Sequence, residues 1–189
     1  MEQLDKLYHE KISHSYAKQE IPETVHPLYG EISREGVEAV LENLKEHFSN
    51  PEAVFYDLGS GIGRMVFHVA ISCPIKKAVG VEFIKSRHDQ AVSNINEYNY
   101  SSTEKPEFIN ADISTMNFDN ASIIYIDNTV SSFAELSLEI YNQLPKGCLF
   151  IARNYSMRLK IPKEDLGGEF LSSTTYIKSG FKAWYAIKG

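Results

Sequence analysis

The residues best placed to do chemistry form one compact run, Asp57-Leu58-Gly59-Ser60-Gly61-Ile62-Gly63. An apolar stretch, Ala53-Val54-Phe55-Tyr56, precedes it, and Met65, Val66, Val69 and Ala70 follow at helical spacing. Glycines at such a turn let the backbone bend sharply and bring a ligand against the main chain. Asp57 closes the apolar stretch and can pair with an ammonium or accept hydrogen bonds. Glu82 closes the next apolar stretch, Ala78-Val79-Gly80-Val81. It lies roughly 20 residues beyond the glycine turn, where an acid meets ribose hydroxyls in nucleotide sites. Together these features predict a nucleotide-like ligand on a strand–turn–helix unit.

Spacing separates the candidate ligands. A dinucleotide fingerprint needs its third glycine at position 64, which is Arg64 here. The observed pattern is Gly-x-Gly-x-Gly preceded by an acid, and a carboxylate there suits a cationic ligand better than a diphosphate. S-adenosylmethionine carries an α-ammonium and a sulfonium, so it fits this loop better than NAD does.

The rest of the chain supplies the scaffold. Ser33 is a plausible N-cap for a helix with Val37, Val40, Leu41, Leu44 and Phe48 on one face, ended by Asn50-Pro51. Strands are expected over 53–56, 78–81, 107–110, 122–126 and 148–152. Between them fall helices from the glycine turn onward, over 84–98 and over about 131–143. This β–α alternation predicts a mainly parallel sheet covered by helices on both faces. Two further strands, 169–177 and 181–187, meet at Ser179-Gly180 and read as a C-terminal antiparallel hairpin, completing seven strands. A dehydrogenase-type Rossmann domain usually ends on a parallel strand, so the hairpin separates the two classes. The first twenty residues are polar and read as helical, a lid or cap.

Composition narrows the partners. The 189 residues carry a formal net charge of −6, with lysines and arginines dispersed and none denser than Pro74-Ile75-Lys76-Lys77. Tight nonspecific binding of nucleic acid is disfavoured by that distribution. No apolar run approaches the ~20 residues of a membrane span, and the acidic N-terminus lacks the pattern of a secretory signal. A cytoplasmic or nuclear location is the expectation. Cys73 and Cys148 read as buried free thiols, and the six scattered histidines suggest no metal site.

Three motifs together resemble the disruptor-of-telomeric-silencing family of class I S-adenosylmethionine-dependent methyltransferases, the histone lysine methyltransferases that lack a SET domain. They are Tyr29-Gly30-Glu31, the glycine run from Asp57 to Gly63, and Gly80-Val81-Glu82, with a looser likeness through Asp127-Asn128. The resemblance implies a class I α/β fold and S-adenosyl-L-methionine as cofactor, with a lysine-bearing protein as acceptor. It implies that residues 1–50 form a helical cap and cofactor lid on a core of 51–189, the whole being one structural domain. Tyr29, Gly30 and Glu31 would close over the methionine part. Asp57, Gly59, Ser60, Gly61 and Gly63 would hold its amino-acid end, Glu82 its ribose, and Asp112 with Ile113 its adenine. Asp127 and Asn128 would orient the acceptor nitrogen, and Trp184, beside Tyr185, would wall the acceptor channel.

Each role has a plain structural alternative: a turn at Tyr29-Gly30, a helix cap at Asp112 or Asp127, and core packing at Trp184. Family members carry paired asparagines followed by aromatic residues where this chain has Asp127-Asn128 and a late Phe133. Acceptor identity therefore stays open among protein lysine, a small molecule and a nucleic-acid base. A cofactor-binding module without catalysis is the remaining alternative.

Overall fold

A computed structural model describes residues 2–9, 31–97, 106–127, 133–153, 155–174 and 180–189. Near the N-terminus, α1 (Glu2–His9) precedes α2 (Arg34–Asn43) and α3 (Lys45–Phe48). The alternating part runs β1 (Val54–Leu58), α4 (Arg64–Ser72), β2 (Lys77–Glu82), α5 (Lys85–Glu97), β3 (Glu107–Asn110), β4 (Ile123–Ile126), α6 (Phe133–Gln143) and β5 (Leu149–Ala152). A short α7 (Tyr155–Arg158) leads to β6 (Leu166–Ser172) and β7 (Phe181–Ile187).

The seven strands lie in the order β3-β2-β1-β4-β5-β7-β6. Neighbours from β3 through β5 pair in parallel, while β7 inserts between β5 and β6 and runs antiparallel to both. The predicted class I methyltransferase architecture, with its closing hairpin, is the observed one. Strand order reverses between β1 and β4, which opens a crevice beyond the carboxyl ends of those strands.

Successive strand residues point to opposite faces, and the two faces bury different clusters. One holds Tyr56, Val81, Ile126, Ala152 and Trp184 under α6 and α7. The other holds Phe55, Ala78, Tyr125, Ile151 and Ala183 under α2, α3 and α4. Period two therefore assigns Asp57, Glu82, Tyr125 and the residues just past β4 and β5 to the α4 face.

Local details follow from residue type. Ser33 caps α2 as expected, its hydroxyl accepting from the Gly36 N–H at 3.1 Å. The predicted helix to Phe48 is interrupted at Leu44, giving α2 and α3. β6 starts three residues earlier than its sequence suggests and slips register between Leu166 and Glu169. The Tyr185 ring lies against Gly167 and Gly168, so this glycine pair is a seat for an aromatic rather than the end of a strand. α1 docks on α4 by burying Leu7 beside Phe67, with the Tyr8 hydroxyl 2.8 Å from His68 Nδ1. Both cysteines are free; Cys148 is buried and Cys73 half-buried. No described helix is long and apolar enough to cross a membrane.

Candidate active site

The glycine run is a turn bound to the end of β2. Gly59 and Ser60 donate their N–H groups to the Val81 carbonyl at 2.8 and 3.1 Å, and Gly63 donates to the Ser60 carbonyl at 2.9 Å. Gly59, Gly61 and Gly63 take positive φ values of 88°, 56° and 93°, a region that disfavours side chains. Gly63 is also the first cap of α4 and lies against the Phe108 ring. The helix N-terminus is thereby pressed onto the sheet, with its N–H groups at the crevice.

Glu82 braces this turn. One carboxylate oxygen accepts from the Gly61 N–H and the other from the Ile84 N–H, each at 2.8 Å. The side chain is only 6% exposed. The carboxylate ties β2 to the loop while keeping lone pairs for further donors.

Next to it stands Asp57, buried, with a carboxyl pushed well above the ordinary carboxylate range. Burial is the main cause, followed by the charges of Asp127 and Glu82. Among the described residues no ion pair is formed by Asp57. Asp127, just beyond β4, is also raised by burial, opposed by Arg153 and by a hydrogen bond with Tyr125. Arg153 Nε lies 2.7 Å from Asp127 Oδ1. A row thus crosses one face of the sheet: Glu82, Asp57, Asp127, Arg153. Among the described residues no group of three or more His, Cys, Asp or Glu side chains is arranged to hold a metal ion.

The remaining predicted residues fall in three groups. Tyr29, Gly30 and Asn128 lie outside the described residues. Glu31 is buried, its Oε2 2.8 Å from Arg64 Nε at the start of α4, so its carboxylate is engaged with the glycine turn's own helix. Asp112 is exposed and caps the 3-10 turn Ile113–Thr115, accepting from the Ser114 N–H at 2.9 Å; Ile113 is half-buried against the core.

Trp184 requires a correction. It is 0% exposed, packs with its ring centroid 6.0 Å from that of Phe150, and belongs to the α6–α7 face, opposite the carboxylate row. A side chain one strand position from the expected face cannot wall a channel on it. Core packing is its role.

Three participants escaped the sequence reading: Arg64, Tyr125 and Arg153. A signal was present for the last. Asp127 and Arg153 are each the first residue past an apolar strand, and Ile126 pairs with Ala152, so the two stand side by side.

These residues fit a cationic nucleoside ligand. The Ser60 hydroxyl is buried and, among the described residues, has no hydrogen-bond partner. Buried acids outnumber the arginine beside them, so a ligand bearing an ammonium and a sulfonium would supply the missing charge.

Comparison with known proteins agrees. Residues 15–155 match the family model Histone methylation protein DOT1. A protein-lysine N-methyltransferase of Saccharolobus islandicus is 29% identical over 114 residues, covering 59% of this chain and 68% of that protein. Among solved structures, an RNA methyltransferase from Salinibacter ruber, in complex with S-adenosyl-L-homocysteine, superposes with a TM-score of 0.62. It is 21% identical, over 80% of this chain and 89% of that one. Magnesium protoporphyrin IX methyltransferase from Synechocystis, with bound S-adenosylhomocysteine, gives 0.67 at 11% identity over 100% and 93%. The fold is that of class I methyltransferases. This chain belongs to the Histone methylation protein DOT1 family and is an S-adenosylmethionine-dependent methyltransferase.

Proposed function

We propose that the chain transfers a methyl group from S-adenosylmethionine to a lysine side chain of a protein. The observation that carries this reading is the buried row Glu82–Asp57–Asp127 at the strand-order reversal, in which Asp57 forms no ion pair among the described residues. Glu82 and the glycine turn seat the ribose and amino-acid end, Asp57 meets the cationic end, and Asp112 with Ile113 flanks the adenine. Tyr29 and Gly30, in the N-terminal cap of residues 1–50, close over the methionine part, and Asn128 orients the acceptor.

When bound, S-adenosylmethionine supplies a methyl group activated by its sulfonium. The chain's own residues align that group with the acceptor and exclude water, and alignment alone accounts for a large part of such rates. A carboxylate at the acceptor end favours a lysine, which docks as its ammonium and gives its proton to solvent before transfer, over a neutral base. A formal charge of −6 without a basic patch also supports a protein acceptor over RNA, as do the family match and the relative's lysine specificity.

The test incubates the protein with labelled methyl donor and a cell lysate, then locates the label by mass spectrometry. Label on lysine Nε of one or few proteins is expected. Label confined to RNA or to small metabolites would refute the lysine acceptor.

A further inference from the structure

Arg153 is, besides Arg64, an enclosed cation at the crevice, and the cofactor seat proposed above does not use it. It directly follows β5, and its guanidinium carbon lies 4.2 Å from the centroid of the Phe181 ring, the first residue of β7. Its Nε lies 2.7 Å from Asp127 Oδ1. Both partners are largely enclosed, with side-chain exposures of 15% and 16%. The guanidinium therefore lies between an aromatic face on one side and a carboxylate on the other, a stacking its planar group suits and an ammonium does not.

Two further groups face Asp127. Tyr125, two residues earlier on β4, hydrogen-bonds to it, and Asp57 on β1 faces it as a like charge. Glu82 on β2 adds its charge through Asp57. A buried acid between another acid and a tyrosine is prone to swing away or take up a proton unless a cation holds it. Arg153 is the cation beside it.

We propose that Arg153 is a positioning residue for methyl transfer: clamped between Phe181 and Asp127, it holds the Asp127 carboxylate in one orientation toward the acceptor amine. That amine gives its ammonium proton to solvent, and its lone pair then takes the methyl as the S–CH3 bond breaks and S-adenosylhomocysteine leaves. The inference rests on Asp127 standing at the acceptor end, as proposed above. An orienting contact of this kind fixes the acceptor nitrogen on the line of displacement, where small misplacements are expensive in rate.

Five proteins test it: wild type, R153A, R153K, D127N and the R153A/D127N double variant. Folding is checked by thermal melts and cofactor binding by calorimetric titration with S-adenosylhomocysteine. Rates of label transfer into unfractionated lysate are followed from mildly acidic to mildly alkaline pH. R153A is expected to bind S-adenosylhomocysteine nearly as wild type does and to transfer methyl about 10- to 100-fold more slowly at neutral pH. Its acidic limb should move to higher pH, because Asp127 has lost the cation that favours its charged form. R153K, which keeps the charge but not the planar group stacked on Phe181, should fall between R153A and wild type. The double variant should be no slower than the slower single one, since both changes break the same unit.

Equal loss at every pH, or losses of R153A and D127N that multiply, would overturn the proposal and leave Arg153 a packing residue. So would an R153A or R153K rate equal to wild type, or loss of S-adenosylhomocysteine binding. The two readings fail separately. If wild type labels RNA or a small amine while the variants behave as described, the lysine acceptor falls and Arg153 keeps its role. Wild type that labels nothing overturns both.

Discussion

Replacing Gly63 with alanine puts two separable physical effects into the glycine turn. The residue sits at φ 93°, where a side chain costs about 1–2 kcal/mol. Its Cβ would also fall 2.6 Å from Phe108 Cε1 and 3.0 Å from Phe67 Cε2. Phe67 is fully buried, and Phe108, half-buried on the edge strand β3, also lies against Gly80. Overpacking of this kind costs about 1–3 kcal/mol more. A stiffer unfolded chain returns about 0.4–1 kcal/mol. Gly59 is the internal control, with φ 88° and nothing within 4 Å of its Cβ. G59A therefore carries the strain without the clash. The difference between the two variants should be about 1–3 kcal/mol, or roughly 3–10 °C in melting temperature for a chain of this size. Thermal melts of the ligand-free proteins measure it, and trimming Phe108 to leucine in the G63A background should recover part of the loss. Equal melting temperatures for G63A and G59A would refute the close approach of α4 to the sheet.

Other parts of the structure give expectations as definite. Burial pulls the His68 pKa down to about 4 from 6.5, so the folded state binds fewer protons than the unfolded one between those values. Stability should be full above about pH 6.5 and decline as pH falls toward about 4, by roughly 3 kcal/mol in all; urea midpoints against pH should show this in wild type and flatten in H68Q. The raised Asp57 carboxyl must lose its proton to meet a cationic ligand, so affinity for S-adenosylmethionine should strengthen with rising pH, and D57N should remove that dependence in calorimetry. Glu82→Gln should weaken cofactor binding by about 1.5–3 kcal/mol and also lower the melting temperature, because the carboxylate holds the Gly61 and Ile84 N–H groups. Unchanged stability in E82Q would mean that those two bonds are not structural.

Most of the scaffold could be read from the sequence because its signals are local. Strands such as Glu107–Asn110 and Phe181–Ile187 fall where their apolar runs lie, and the Ser33 cap is as the residue type implies. The start of β6 was missed because Gly167 and Gly168 resemble a break until the Tyr185 ring is seen against them. The candidate site was legible where it is a contiguous motif, from Asp57 to Gly63, and at Glu82. It was illegible where it depends on pairing between strands. Trp184 next to Tyr185 suggests an aromatic wall in one dimension, but alternation turns Trp184 toward Phe150 on the other face. Arg153 and Arg64 gain meaning only from partners 26 and 33 positions away, Asp127 and Glu31, which chain folding brings beside them.

The central claim is that the glycine turn and the acids beside it form the seat of S-adenosylmethionine. Calorimetric titration of the protein with S-adenosylhomocysteine, S-adenosylmethionine and NADH tests it most directly, with D57N and E82Q alongside. Saturable binding of both adenosyl ligands at one site, weakened in E82Q, with no heat from NADH, is the predicted result. Binding of NADH without binding of either adenosyl ligand, or adenosyl-ligand affinities untouched by both substitutions, would contradict it.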